Sequence, residues 1–326
     1  MEPYPFHISL IEINSMFGTK NIHWETRPDV NILGGINGSG KSTIIKSCYE
    51  LLHYGAIKDE KLSKLIDKIK IKLNNGYTIC WDKIETGHFD NSTIEEGYEY
   101  IHFPNHLNDN NKRIQRLKIK DANGQNILFR DFSKEMKVLL INSFEQRVMS
   151  QDNKKMDSDD RTYLDILIHE EIFQRNSLFA GAFETLLTAL NNGKPQYLVE
   201  AIKSKEVQNF MLLYPVLKVF MKEYEVSVDN QIKFKRNRGE EISYTDLSMG
   251  EKQLVLLLLM INNTAKEPCI FFMDEPDLGM HIAWKEILIK TIRQMNPNMQ
   301  IILSTHAPSM IEGWYDNVKE VNQITI

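Results

Sequence analysis

The chain has 326 residues, 42% hydrophobic and 25% charged, enough to bury a large core in one big domain or two. Its net charge of −5 excludes a chain-wide basic field that would recruit nucleic acid or an anionic membrane, and leaves only local patches open. The longest apolar run, residues 254–261, is too short to span a bilayer, so no membrane partner is expected.

The N-terminus, Met1-Glu2-Pro3-Tyr4-Pro5, lacks the basic and apolar regions of a secretory signal, so the expected location is cytoplasmic. Cys48, Cys80 and Cys269 are widely spaced within apolar patterns and read as buried free thiols. Apolar alternation predicts strands at 7–13, 21–25 and 30–33, followed by a glycine-rich loop and a helix marked by Ile44, Ile45, Cys48, Leu51 and Leu52. A Lys-rich helix over 56–68 then leads into a hairpin, 69–73 and 77–83, turned by Asn74-Asn75-Gly76. A strand at 98–103, a second hairpin at 116–120 and 127–130, and a buried strand at 138–141 follow. From 159 to 224 the apolar period changes from two to 3.6, which predicts a helical insertion whose last helix is kinked or ended by Pro215. Strands return at 225–228, 232–235 and 241–244, and strand and helix alternate from there.

Gly35-Ile36-Asn37-Gly38-Ser39-Gly40-Lys41-Ser42-Thr43 matches the G-x-x-x-x-G-K-[ST] phosphate loop and lies between a strand and a helix, as that loop requires. The glycines let successive N–H groups turn inward on phosphate oxygens, and the helix aims its positive dipole end at the same point. Nucleotide contacts are expected from Gly35, Asn37, Gly38, Ser39, Gly40, Lys41, Ser42 and Thr43, with Lys41 on the β- and γ-phosphates and Ser42 on Mg²⁺. Leu247-Ser248-Met249-Gly250-Glu251-Lys252-Gln253 opens an apolar helix and would present Ser248 and backbone N–H groups to an anion. The apolar run 270–273 ends in Asp274 and Glu275, adjacent carboxylates that are costly to bury unless a cation or a reaction uses them. Asp274 is expected on Mg²⁺, and Glu275 on the attacking water. A last apolar strand, 300–304, delivers Thr305 and His306 to the sheet edge where open α/β sheets bind ligands, with His306 as a γ-phosphate sensor.

In this order, Gly-Ile-Asn-Gly-Ser-Gly-Lys-Ser-Thr, Leu-Ser-Met-Gly-Glu, Phe-Met-Asp-Glu-Pro and Ser-Thr-His resemble the ATP-binding-cassette ATPase superfamily, over about 1–55 and 225–326. The resemblance implies an α/β fold: an ABC-ATPase head with a RecA-like P-loop core sheet, an antiparallel β lobe and a helical insertion. Residues 1–158 and 225–326 would form the head and 159–224 the insertion. It implies an ATPase using ATP and Mg²⁺, with Lys41, Glu275 and His306 catalytic, Ser248 and Gly250 in the signature, and Ser42 and Asp274 on the metal. Gln146 is the implied Q-loop glutamine, touching nucleotide and metal, and Gln115 is its competitor. Two copies would pair head to tail around ATP.

Glu275-Pro276-Asp277-Leu278-Gly279-Met280-His281 and Ser304-Thr305-His306-Ala307-Pro308-Ser309-Met310 are similar to the OLD-like stand-alone AAA-type ATPases, many of which belong to bacterial anti-phage systems. OLD nucleases continue into a Toprim domain. None is read after His306, which implies an effector in trans, a Toprim-like nuclease or toxin, as in two-gene systems such as PARIS. A DNA-repair or chromosome-maintenance ATPase is the second implied role. A transporter cassette is disfavoured, because the usual Ser-Ala-Leu-Asp run is absent. Basic residues cluster at Lys58/Lys61/Lys64/Lys68/Lys70/Lys72, at Lys112/Arg113/Arg116/Lys118/Lys120 and at Lys233/Lys235/Arg236/Arg238. Most alternate along predicted hairpin strands as a solvated sheet face does, and this reading is preferred to a DNA-binding groove.

Overall fold

The computed structural model describes residues 6–84, 94–103, 113–142, 162–228, 231–236 and 239–326. Strands β1 (Ile8–Met16), β2 (Lys20–Glu25) and β3 (Val30–Gly34) precede the glycine loop and helix α1 (Lys41–Tyr54). Next come α2 (Glu60–Lys64), β4 (Lys68–Leu73), β5 (Thr78–Ile84), β6 (Glu99–Phe103), β7 (Arg113–Lys120) and β8 (Asn126–Ile127). After α3 (Phe129–Glu135) and β9 (Lys137–Asn142) come five helices: α4 (Tyr163–Leu178), α5 (Ala180–Asn191), α6 (Pro195–Lys203), α7 (Lys205–Met211) and α8 (Leu213–Phe220). The small strands β10 (Tyr224–Val228), β11 (Ile232–Arg236) and β12 (Glu241–Ile242) precede α9 (Met249–Asn262) and β13 (Cys269–Asp274). The chain continues through α10 (Ile282–Met295), β14 (Met299–Ser304), α11 (Pro308–Ile311) and β15 (Val318–Glu320).

Three sheets result. The antiparallel sheet has the order β2-β1-β4-β5-β7-β6 with β8 beside β7, a small sheet has the order β10-β11-β12, and the parallel sheet has the order β15-β3-β14-β13-β9. β13 and β14 are buried along their whole length, as expected of parallel strands covered on both faces. Alternate side chains feed two cores. Ile270 and Phe272 point toward α1 and the antiparallel sheet, whereas Phe271 and Met273 point toward α9, α10, α4 and α8. The phosphate-loop helix and the signature helix are therefore anchored on opposite faces of one sheet.

The structure corrects three expectations. The helix over 56–68 shrinks to α2, because Asp59 caps it by accepting the Lys61 and Leu62 N–H groups, and Lys68 already pairs with Asp82 in the antiparallel ladder. The second hairpin's return arm stops at Ile127, where Phe129 turns to cover Gly55 and α3 begins. Pro215 sits in the first turn of α8, where a missing N–H costs nothing, so it helps start that helix rather than end it.

Candidate functional site

Register sets the site. Leu33 pairs with Ser304, and Ser304 with Asp274, so the loop after β3, the Thr305-His306 turn and Glu275 all leave the parallel sheet at one edge.

In the glycine loop, Gly40 has φ 113°, and a Cβ there would lie 2.7 Å from the Met16 Cε. Helix α1 starts at the next residue with no side-chain cap and no acid in its first turn, so its positive end stays available to an anion. Lys41 is buried, and its Nζ donates to the Gly35 carbonyl (2.9 Å) and the Ile36 carbonyl (3.2 Å). Burial lowers the Lys41 pKa, while the nearby Glu275 and Asp274 carboxylates oppose that shift. A phosphate entering the loop would offer oxygens in place of the two carbonyls.

Asp274 is fully buried, and its Oδ1 accepts from Ser42 Oγ (2.9 Å) and Ser304 Oγ (2.7 Å). A hydroxyl and a carboxylate converging beside the phosphate loop are hard oxygen donors that fit Mg²⁺. Ser42 and Asp274 would hold the ion, which when bound neutralises phosphate charge. Glu275 adopts φ 49°, a left-handed conformation rare for a residue with a Cβ and typical of strained functional positions. Its N–H donates to the Ser304 carbonyl at 3.1 Å, and its Oε1 lies 3.5 Å from the His306 Nε2. Asn37, Gly38, Gly40, Lys41, Ser42 and Thr43, with Phe17 beside Gly40, line a cleft of about 580 Å³ together with Glu275 and His306. Gly35 and Ser39 face a neighbouring cavity with Lys20 and Glu320, so they shape the loop from behind.

Ser248 and Gly250 are not brought to this cleft. Ser248 caps α9 through a capping box with Glu251, and lines a different cavity of about 420 Å³ with Gly279, His281 and Trp284. Gly250 is buried against the loop after Glu275: a Cβ on it would stand 2.2 Å from the Gly279 carbonyl oxygen. Gln146 lies outside the described residues. Its competitor Gln115 is fully buried inside the antiparallel sheet. There its Oε1 accepts from the Ile57 N–H and the Trp81 Nε1–H, both at 2.9 Å, and its Nε2 donates to the Ile57 carbonyl at 2.8 Å. Gln115 is thus a structural residue remote from the cleft.

Sequence reasoning missed three residues. Phe17 looked like part of a turn, yet its exposed ring walls the cleft beside Gly40. Ser304 holds both Asp274 and the Glu275 backbone. Asp277 accepts from Thr305 Oγ1 (2.8 Å) and pairs with Lys285 (3.2 Å), which clamps the turn carrying His306. The only signal for Asp277 was its place two residues after Glu275.

Residues 30–312 match the family described as "AAA domain, putative AbiEii toxin, Type IV TA system". The chain belongs to this family. It is an AAA-type ATPase, and families of this kind bind ATP, generally with Mg²⁺. A segment of 98 residues is 33% identical to the Retron Vc95 probable ATPase of Vibrio cholerae serotype O1 biovar El Tor; it covers 26% of this chain and 19% of that protein. The matched segment thus spans about a fifth of the curated relative. The fold is that of an SMC head domain. The head from Thermotoga maritima superposes with TM-score 0.51 at 15% identity, covering 98% of this chain and 97% of that one. An SmcHead bound to the C-winged helix domain of ScpA gives TM-score 0.52 at 13% identity, covering 98% of each chain. Among the described residues no helix is long and apolar enough to cross a membrane.

Proposed function

We propose that the protein hydrolyses ATP in the cleft between the glycine loop and Glu275, and that its nucleotide state controls a separate effector in a bacterial anti-phage defence complex. The observation that carries the first half is the convergence of Lys41, Ser42, Asp274, Glu275 and His306 on one sheet edge. Lys41 draws in the β- and γ-phosphates, and Ser42 with Asp274 holds the metal. Glu275 takes the proton of the attacking water, and His306, in contact with Glu275, senses the γ-phosphate.

Ser248 lines a different cavity from the one that Lys41, Ser42 and Glu275 line. In this reading it completes the cleft of a second copy, head to tail. The similarity to a retron-named ATPase supports the defence role. The effector, a Toprim-like nuclease or toxin, would dock on α5 and α6, where Leu187, Leu190, Tyr197, Val199 and Ile202 are exposed. Helix α4 buries Leu164 and Ile168 in the head's core but leaves Ile166, Phe173 and Leu178 exposed, so its outer face belongs to the same docking surface.

Glu275→Gln is expected to keep ATP binding while lowering turnover by about 10²–10⁴-fold. Mixing Lys41→Ala with Ser248→Arg protomers should restore hydrolysis neither variant has alone. Wild-type turnover in Glu275→Gln would remove that residue from the mechanism, and mixed dimers without activity would remove the head-to-tail site. Polar replacements at Leu187, Leu190, Val199 and Ile202 should release the neighbouring gene product on co-purification while ATP binding persists; its retention would move the docking surface elsewhere.

A further inference from the structure

Two basic clusters far apart in sequence meet on one face of the antiparallel sheet. On β4, Lys68, Lys70 and Lys72 pair with Asp82, Cys80 and Thr78 of β5, and these three pair in turn with Arg116, Lys118 and Lys120 of β7. Residues paired in register share a face. The intervening Ile69, Ile71, Ile79, Leu117 and Ile119 are buried on the opposite face, toward α1. Two columns of cations therefore stand about 10 Å apart, with about 7 Å between successive charges along each strand.

The face keeps a surplus of positive charge. Lys70 is paired with Glu12 at 2.6 Å, and Arg116 with Asp82 and Glu95. Among the described residues no carboxylate pairs with Lys68, Lys72, Lys118 or Lys120. Cys80 lies between the columns within the electrostatic reach of Lys68, Lys70 and Lys120. None of the described residues on β4, β5 or β7 is an exposed large hydrophobic. The nearby Tyr98 ring is covered by Arg116 at 4.6 Å and Lys118 at 4.7 Å. Protein partners need apolar or aromatic anchors at an interface centre, and this face offers none free. A polyanionic backbone needs only spaced cations.

We infer that this sheet face binds the phosphodiester backbone of a nucleic acid without reading its sequence. The inference goes beyond the ATPase reading and does not depend on it, because these lysines lie on the far side of the sheet from α1.

The test uses the full chain and fluorescence anisotropy with labelled single-stranded DNA, duplex DNA and RNA, each in two unrelated sequences. The tightest arm names the source of the backbone. Both sequences should bind alike, and for duplex DNA four lysines should give a slope of log K against log salt of about −3 to −4. The triple variant Lys72→Glu/Lys118→Glu/Lys120→Glu should bind at least tenfold more weakly, with its ATPase rate in the absence of nucleic acid unchanged. A native probe gives a second reading. Cys48 and Cys269 are fully buried, but Cys80, expected from the sequence to be buried too, is partly exposed on this face, so bound oligonucleotide should slow its alkylation. The inference is overturned if no oligonucleotide binds, if the triple variant binds as tightly as the parent, or if polyglutamate or phosphatidylserine vesicles compete on equal terms.

Discussion

Two helix N-termini in this protein face anion-sized clefts, and they are built in opposite ways. Helix α1 begins after Gly40 with no side-chain cap and no acidic residue in its first turn. Helix α9 begins after Ser248 with a complete capping box: the Ser248 N–H donates to Glu251 Oε2 at 2.7 Å, and Glu251 Oε1 accepts from the Tyr224 hydroxyl at 2.9 Å. The first end keeps its donors and dipole for a ligand. The second spends part of them internally and adds a negative charge, which lowers its own affinity for phosphate. Two glycine-associated helix starts that look alike in sequence thus differ in kind. In the proposed reading α1 is the primary phosphate site, and α9 is a rigid, pre-capped surface suited to touching a phosphate already held elsewhere.

The rigidity of the α9 end can be broken first, and with the largest effect. Lys252 and Asp165 form an ion pair at 2.8 Å, with side chains 8% and 2% exposed, that ties α9 to α4. Burial pushes the Asp165 pKa up, but Lys252 and the Thr162 hydrogen bonds outweigh it and hold the group below its ordinary 3.8. A depressed carboxylate contributes stability above its unfolded value and loses it as pH falls through the folded one. Asp165→Asn should cost about 3 kcal/mol at neutral pH, because Lys252 is left buried without its counter-charge. Thermal unfolding of both proteins against pH should show the gap narrowing as pH falls below the ordinary 3.8 of the carboxyl and through its lower folded value. A gap that stays constant with pH would mean the pair's charge is not what matters.

Removing the cation from the open end comes next. Lys41→Ala should weaken ATP binding on the order of 10²-fold, about 2.7 kcal/mol, by calorimetry. If binding survives, α9 has more phosphate affinity than its capping allows.

Gly250→Ala should cost about 2 kcal/mol, since the new methyl must displace the Gly279 carbonyl. Because the displaced loop runs back to Glu275 and to Asp277, which clamps the His306 turn, kcat should fall more than ATP affinity. Loss of affinity with kcat preserved would disconnect α9 from the catalytic edge.

The smallest change sharpens the comparison. Ser248→Ala should lower stability by about 1 kcal/mol through loss of the cap, while ATP affinity measured on isolated heads stays unchanged. Weaker binding in isolated heads would place Ser248 in its own chain's cleft.

The difference between these two ends also explains what could be read in advance. The phosphate loop was legible because its chemistry is local: glycines, a lysine and a hydroxyl within nine consecutive residues, with helix and strand periodicity on either side. Asp274, Glu275 and His306 were legible because apolar runs that end in polar residues mark the strand ends of a buried parallel sheet. Asp277 was not, because its meaning comes from Thr305 and Lys285, residues its own sequence neighbourhood cannot reveal. Gln115 illustrates the reverse error: a polar residue beside a predicted strand looked available, yet the sheet wraps it around the Ile57 backbone and the Trp81 indole.

Periodicity and spacing by themselves determined that this chain builds a strand–loop–helix around the phosphate-loop pattern and delivers carboxylates and a histidine from buried strands, since those features depend on residues a few positions apart. Which strand lies beside which was decided by the tertiary structure alone. Strand order sets Leu33, Ser304 and Asp274 in one register, turns Ser42 toward Asp274, and packs α9 on the sheet face opposite α1. It also stacks β4, β5 and β7 so that two lysine columns meet on one surface. Residues far apart in sequence become neighbours only through the packing of both sheet faces against α1 and α9, and no local pattern along the chain carries that information.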